Sequence, residues 1–212
     1  VLSESMAGFE STGQLIALVL AAVTMTIGNS MALFQSNVRR ILAYTTMAHG
    51  GFAMIGIAVG FWDAAHPTQS LEAGTSLPGG IFSCIFYLAG SLLATTGFFA
   101  ILVYLARQKR QIEYVEDLRG LIRSEPLAAC CAGVFLLSLA GIPPLPGFWG
   151  RLFVLASSLS VRAESSGEFL TGTNPGFLVL GLIAVLNLLM TAAVYMRMMI
   201  VMFLESQVSR PQ

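Results

Sequence analysis

The sequence predicts an all-α membrane protein of five transmembrane helices, the fourth of them broken near 141–147. Three observations predict it. Hydrophobic residues make up 56% of the 212 residues and charged residues only 10%, against about 25% charged in soluble domains. So few charges cannot coat a globular surface. Apolar stretches of the ~20 residues that a spanning helix needs recur along the chain. The basic residues then fall in alternate linkers, the pattern left when Lys and Arg stay on the cytoplasmic side.

The first span covers about 14–34, and no Lys or Arg precedes it. Arg39 and Arg40 open the second, about 38–60. The stretch 61–80, FWDAAHPTQSLEAGTSLPGG, reads as a loop from its Pro, Gly and Ser content and carries no Lys or Arg. The third span covers about 80–106. The charged linker RQKRQIEYVEDLRGLIRSE (107–125) follows, with Arg107, Lys109, Arg110, Arg119 and Arg123 and room for a short surface helix. The fourth stretch, 126–159, is apolar throughout but too long for one straight span. ESSGEFLTGTNP (164–175) is polar, and Arg162 is the one basic residue beside it. The fifth span covers about 176–204, with Arg197 two turns inside its end, able to snorkel outward, and Arg210 beyond.

Five crossings place the basic segments 35–40 and 107–125 on one face, cytoplasmic or its matrix or stromal equivalent, and the two termini on opposite faces. Lipid offers no partners to backbone polar groups, so residues 1–212 are expected to form a single transmembrane helical bundle. The chain shows no internal repeat and no low-complexity tract. It opens VLSESMAGFE, without an initiator Met or a basic segment ahead of a short apolar run. That start reads as a cut within a longer protein or a processed end, with no signal peptide.

The run LAGIPPLPGFWGR (139–151) carries the clearest chemistry. Pro143, Pro144 and Pro146 remove backbone donors and clash with the preceding turn, and Gly141 and Gly147 flank them. The fourth helix is therefore expected to divide into halves of roughly 126–140 and 148–159. Such a break frees carbonyls at the end of the first half, where partial negative charge collects. Arg151 sits one turn past the break, and its guanidinium is able to reach back to them. An unpaired Arg at mid-bilayer costs ~2.5–3.5 kcal/mol on insertion scales. No Asp or Glu lies inside the spans, so its counter-charge must come from carbonyls, water or another chain. Two readings stand. Discontinuous helices mark ion and substrate sites; alternatively, Arg151 lies near a helix end and snorkels to the interface.

His49, in ILAYTTMAHGGFAMIG (41–56), is the other ionisable group at mid-span. Histidine titrates near neutrality and can pass a proton; the plainer reading is a neutral histidine bonded to a carbonyl. Thr45 and Thr46 can bond water or backbone, and Gly50 and Gly51 allow a neighbouring helix to approach. Asn29, Gln35, Ser138 and Asn187 read as polar glue between helices, and His66 as a solvated loop residue. Cys84, Cys130 and Cys131 lie in apolar stretches without metal-ligand spacing and read as packing, as do the ten methionines. There is no GxGxxG, P-loop or HExxH, and neither a Cys/His cluster nor paired carboxylates. No cofactor or metal is expected in this chain, and a net charge of zero gives no hint of nucleic acid.

The runs GNSMALFQ (28–35), NVRRILAYTTMAHGGFAMIGIAVG (37–60), DLRGL (117–121) and FLLSLAGIPPLPGFWGRLFVL (135–155) resemble subunit N of the bacterial NADH:quinone oxidoreductases, complex I, the counterpart of subunit 2 in mitochondrial and chloroplast enzymes. The LAGIPP…GF run is shared across the antiporter-like superfamily. The resemblance implies a fold of two inverted five-helix repeats, each with one broken helix. This chain is similar to the second, C-terminal repeat, with the N-terminal repeat missing from it. It further implies a proton-translocating membrane subunit that couples electron transfer in other subunits to proton pumping. The implied setting is the bilayer of a bacterial inner membrane, or the mitochondrial or thylakoid equivalent, among other membrane subunits. NADH, FMN, iron–sulfur clusters and quinone are implied for the partner subunits. The family usually carries Lys where this chain has Arg151; a buried Lys can release its proton whereas Arg stays charged. The resemblance thus assigns Arg151 a fixed field, with water or His49 carrying the proton. Two alternatives remain open at this point: a cation/proton antiporter or membrane-bound hydrogenase subunit, and a structural membrane subunit without transport.

Overall fold

The computed structural model describes residues 2–65, 79–107, 112–161 and 174–204. His66, Lys109, Arg110, Arg162 and Arg210, singled out above, lie outside the described residues. Among the described residues the ordered elements are helical, and no strand occurs. They are α1 (Leu2–Leu33), α2 (Val38–Ala65), α3 (Gly80–Arg107), α4 (Leu121–Ser124), α5 (Pro126–Ala140), α6 (Pro146–Leu159) and α7 (Pro175–Phe203), with a 3-10 turn at Val115–Leu118. Four of these, α1 from Thr12, α2, α3 and α7, are long and apolar enough to cross a membrane.

Three boundaries differ from those read off the sequence. The first helix begins at Leu2, well before residue 14, because hydropathy marks only the part of a helix that lipid requires. The stretch assigned to a loop from residue 61 stays helical to Ala65, since Phe61, Trp62, Asp63 and Ala64 contain no breaker. The second half of the broken helix starts at Pro146 rather than near 148. Proline fits the first helical turn, where a missing N–H removes nothing.

The second helix is the centre of the bundle. Of its most apolar window, 61% is buried, against 28% for α3 and 39% for α7. Small residues let it pack backbone to backbone against α1. A β-carbon on Gly28 would sit 2.8 Å from the Tyr44 carbonyl oxygen, and one on Gly51 would sit 2.6 Å from the Met25 nitrogen. Close approach of this kind is how membrane helices gain dispersion energy without a hydrophobic drive. Gly50, expected to act with Gly51, faces open space instead. Around this pair, α3 packs on α2, α6 on α3 and α2, and α7 on α1 and α5.

At the basic end the linkers are tied together. Asn37 caps α2, its Oδ1 accepting from the backbone N–H groups of Arg39 (3.1 Å) and Arg40 (3.2 Å). The Val38 N–H donates to the Glu113 carbonyl (2.8 Å) and the Val115 N–H to the Ser36 carbonyl (2.9 Å), so the segment leading into DLRGL is held against the α1–α2 turn. Asp117 Oδ2 in turn accepts from the N–H groups of Glu113 (3.1 Å) and Tyr114 (2.9 Å). Arg197 does not simply point outward: it donates to the carbonyls of Leu33 (3.5 Å), the last residue of α1, and Gln35 (3.4 Å), just beyond it. Cys84 is buried, but Cys130 and Cys131 lie exposed on α5, so interior packing is not the role of that pair.

Candidate functional site: a bridged helix break

A helix leaves its last four carbonyls without intrahelical partners. In α5 these belong to Leu137, Ser138, Leu139 and Ala140. Gly141 adopts φ 81°, a left-handed turn natural to glycine, and aims backbone donors at the first two. Its own N–H donates to Leu137 and Ser138 oxygens (both 3.1 Å), and that of Ile142 to Leu137 (3.1 Å). Arg151 takes the other two, donating to Ala140 at 2.7 Å and also to Leu139. Ser138 closes the opposite end of the gap, its Oγ accepting from the Gly147 N–H (3.3 Å) at the start of α6. Pro143 and Pro144 lie in the exposed link, and Pro146 opens α6.

Arg151 points into the bundle. Its side chain is only 4% exposed and turns back to the break; it does not snorkel. Both acceptors are carbonyls at the negative end of a helix dipole, which serves where no carboxylate is at hand. Glycines make the approach possible. A β-carbon on Gly141 would run into the guanidinium, and one on Gly147 into the Ser138 carbonyl. A β-carbon on Gly150 would come within 2.9 Å of Tyr87 Cα, so α6 is pressed onto α3 at that tyrosine.

His49 is 5% exposed and is bonded not to a carbonyl but to two tyrosines. Its Nδ1 lies 2.6 Å from the Tyr87 hydroxyl on α3, and its Nε2 lies 3.3 Å from the Tyr195 hydroxyl on α7. Beside it, Asn29 Nδ2 donates to Asn187 Oδ1 (3.1 Å), and Thr191 Oγ1 donates to Asn29 Oδ1 (2.9 Å). Asn187 Nδ2 also donates to Thr26 Oγ1 (3.1 Å). A cavity of about 10 Å³ lies among Asn29, His49, Tyr87, Arg151, Asn187 and Thr191, at the threshold for a single water. The two predicted ionisable groups, on different helices far apart in sequence, thus share one polar pocket. Among the described residues every buried side-chain nitrogen and oxygen has a hydrogen-bond partner, and no three His, Cys, Asp or Glu converge as a metal site would require.

Sequence reasoning missed Tyr87, Tyr195 and Thr191. A usable signal existed for the tyrosines: a phenol inside a long apolar span needs a partner for its O–H. Which partner it finds is not written locally, since His49 and Tyr195 are 146 positions apart.

The sequence profile of the family described as NADH:quinone oxidoreductase/Mrp antiporter, transmembrane, matches residues 2–173. NADH-quinone oxidoreductase subunit N of Bdellovibrio bacteriovorus is 34% identical over 188 residues, 88% of this chain and 33% of that protein. The subunit N of Cupriavidus taiwanensis is 32% identical over 212 residues, 100% of this chain and 39% of that protein. The chain therefore spans between a third and two-fifths of the length of these curated relatives. Among solved structures, a chain of respiratory complex I from Thermus thermophilus superposes with a TM-score of 0.63 at 27% identity, covering 91% of this chain and 37% of that one. A chain of the Mrp complex from Dietzia sp. superposes at 0.70 with 22% identity, covering 92% and 31%, a likeness of fold alone.

Proposed function

The chain belongs to the NADH:quinone oxidoreductase/Mrp antiporter transmembrane family, and from that premise we propose that it is part of a proton-translocating membrane subunit of an NADH:quinone oxidoreductase. In this reading electron transfer occurs in other subunits, which hold NADH, FMN, iron–sulfur clusters and quinone. This chain moves protons in response. The observation that carries the reading is the permanent charge of Arg151, buried against the carbonyls of a broken helix and sharing a cavity with a histidine.

Residues 1–212 form one five-crossing repeat in this proposal, with α5 and α6 together making the fourth crossing. They have 15 and 14 residues. Each is therefore about 21–23 Å long at ~1.5 Å per residue, too short alone for a hydrocarbon core of ~30 Å. The basic segments 35–40 and 107–125 face the cytoplasm across an inner membrane or its organellar equivalent. The N-terminal repeat and other membrane subunits are the partners that cover the exposed break at Pro143 and Pro144. Irregular backbone at membrane depth needs such cover.

Arginine does not give up its proton. Arg151 therefore acts as a fixed positive field. It raises the energy of a second positive charge entering the cavity, and the mobile proton rides on His49, hydroxyls or water. The test is Arg151→Ala in the intact complex, with NADH–quinone electron transfer and proton uptake into sealed vesicles measured together. The expected result is loss of the protons this subunit moves while electron transfer persists. Unchanged pumping would leave a membrane spacer without transport. The shared fold with an Mrp chain favours one second reading, a cation/proton antiporter. The cavity residues include no carboxylate to hold Na⁺, and sodium-dependent flux through the reconstituted complex decides between the two.

A further inference from the structure

We infer that Tyr87, His49 and Tyr195 form a hydroxyl–imidazole–hydroxyl relay that carries protons between the Arg151 cavity and the basic side of the bundle. The inference rests on the proton-pumping reading above and assigns the carriers within it.

Depth supports the direction. Tyr87 lies seven residues from Gly80, where α3 begins at the end away from the basic linkers, or ~10 Å in at the helical rise. Arg151 is eight residues from Leu159 at the same end, a similar depth of ~12 Å. Tyr195 lies instead eight residues from Phe203, at the basic end, and His49 sits eleven residues into α2 from that end. The bonded line from Tyr87 through His49 to Tyr195 therefore climbs from the helix break towards the basic linkers. Thr45, one turn of α2 nearer the basic end than His49, is the next hydroxyl along α2 in that direction, its Oγ1 donating to the carbonyls of Ile41 (3.0 Å) and Leu42 (3.1 Å).

The chemistry balances without any redox partner. A neutral imidazole has one N–H and one bare nitrogen, so one tyrosine donates to it while the other accepts from it. Starting with the proton on Nε2, Tyr87 gives its hydroxyl proton to Nδ1 as its oxygen takes one from the cavity. Nε2 releases its proton to the Tyr195 oxygen, and the former Tyr195 proton passes to a water on its way to the basic end. Each O–H or N–H bond broken is replaced by one formed, and no net charge stays behind. The imidazole ends in its other tautomer, so it must turn over between transfers. This makes the relay stepwise, one proton at a time, rather than an open leak. All three rings are buried, at 5%, 2% and 0% exposure for His49, Tyr87 and Tyr195, so bulk water does not short-circuit the line.

The test introduces Tyr87→Phe and Tyr195→Phe separately into the intact complex, beside Arg151→Ala. Protons moved per NADH oxidised are measured in sealed vesicles, in H2O and in D2O, with assembly checked on native gels. Each phenylalanine keeps the ring and removes only the hydroxyl. The relay predicts that each assembles and loses the same protons per NADH as Arg151→Ala, and that the deuterium effect on flux in the unsubstituted complex disappears with them. A purely packing role predicts wild-type stoichiometry and an unchanged deuterium effect. Wild-type pumping by either phenylalanine variant, alongside loss in Arg151→Ala, overturns the relay and leaves the pumping proposal standing. Wild-type pumping by Arg151→Ala overturns the pumping proposal and the relay with it. Should a phenylalanine variant not assemble, fluorotyrosine at the same position keeps shape and hydroxyl but gives up its proton more readily. Altered flux then supports the relay, and unaltered flux overturns it.

Discussion

Arg151 is tolerable in the bundle because α5 ends where it does. Two carbonyls that a local turn leaves bare, Leu139 and Ala140, meet the guanidinium. Replacement by Met leaves both oxygens without a donor, and a buried unsatisfied acceptor costs about 1–3 kcal/mol. Arg151→Met is therefore predicted to unfold earlier in denaturant, by about 2 kcal/mol or more, and Arg151→Lys by less, since an ammonium also donates to carbonyls. Asn29 offers a second check, because it bonds across helices to Asn187 and is bonded by Thr191. Interhelical hydrogen bonds in membranes average ~0.6 kcal/mol and reach ~1.7. Asn29→Leu should lower stability within about that range, measured by unfolding in mixed micelles. Of these residues Arg151 and His49 were legible in the sequence as ionisable groups in apolar runs. Their partners were not, since the tyrosines that hold His49 come from α3 and α7 and only packing brings them to α2.

Punctuation by proline and glycine made the helix break readable, because those residues act on the backbone locally whatever surrounds them. Which glycines hold helices together was not readable, since that depends on what each one faces. Gly50 and Gly51 are neighbours in sequence and opposites in structure: the first meets nothing within 4 Å, the second meets the backbone of α1. Gly51→Ala should force α1 and α2 apart and reduce assembled complex on native gels. Gly50→Ala should be silent or slightly stabilising, since Gly within a helix costs roughly 0.5–1 kcal/mol relative to Ala. At the start of α2, Asn37→Ala removes the acceptor for two N–H groups and should lower thermal stability by about 1 kcal/mol. The helical extension to Ala65 escaped a composition-based reading because loop-like content further along the linker outweighed five residues with no breaker of their own.

For the molecule as a whole, the class of fold followed from hydropathy and the placement of Lys and Arg, both of which act through the solvent and need no tertiary contact. Exposed side chains such as Leu92, Leu93, Leu182 and Leu189 then give the bundle the apolar outer surface that lipid requires. The polar pocket is different in kind. It exists because α2, α3, α6 and α7 each contribute a residue to one place, and no single stretch of chain announces it. From it we propose that a fixed positive charge at a gap in a membrane helix governs proton movement. The most direct measurement is the number of protons taken up per NADH oxidised by sealed vesicles carrying the complex with Arg151→Gln, which removes the charge and keeps one amide donor on a shorter side chain. Loss of this subunit's protons with electron transfer intact is the predicted result; wild-type stoichiometry in the assembled variant would contradict it.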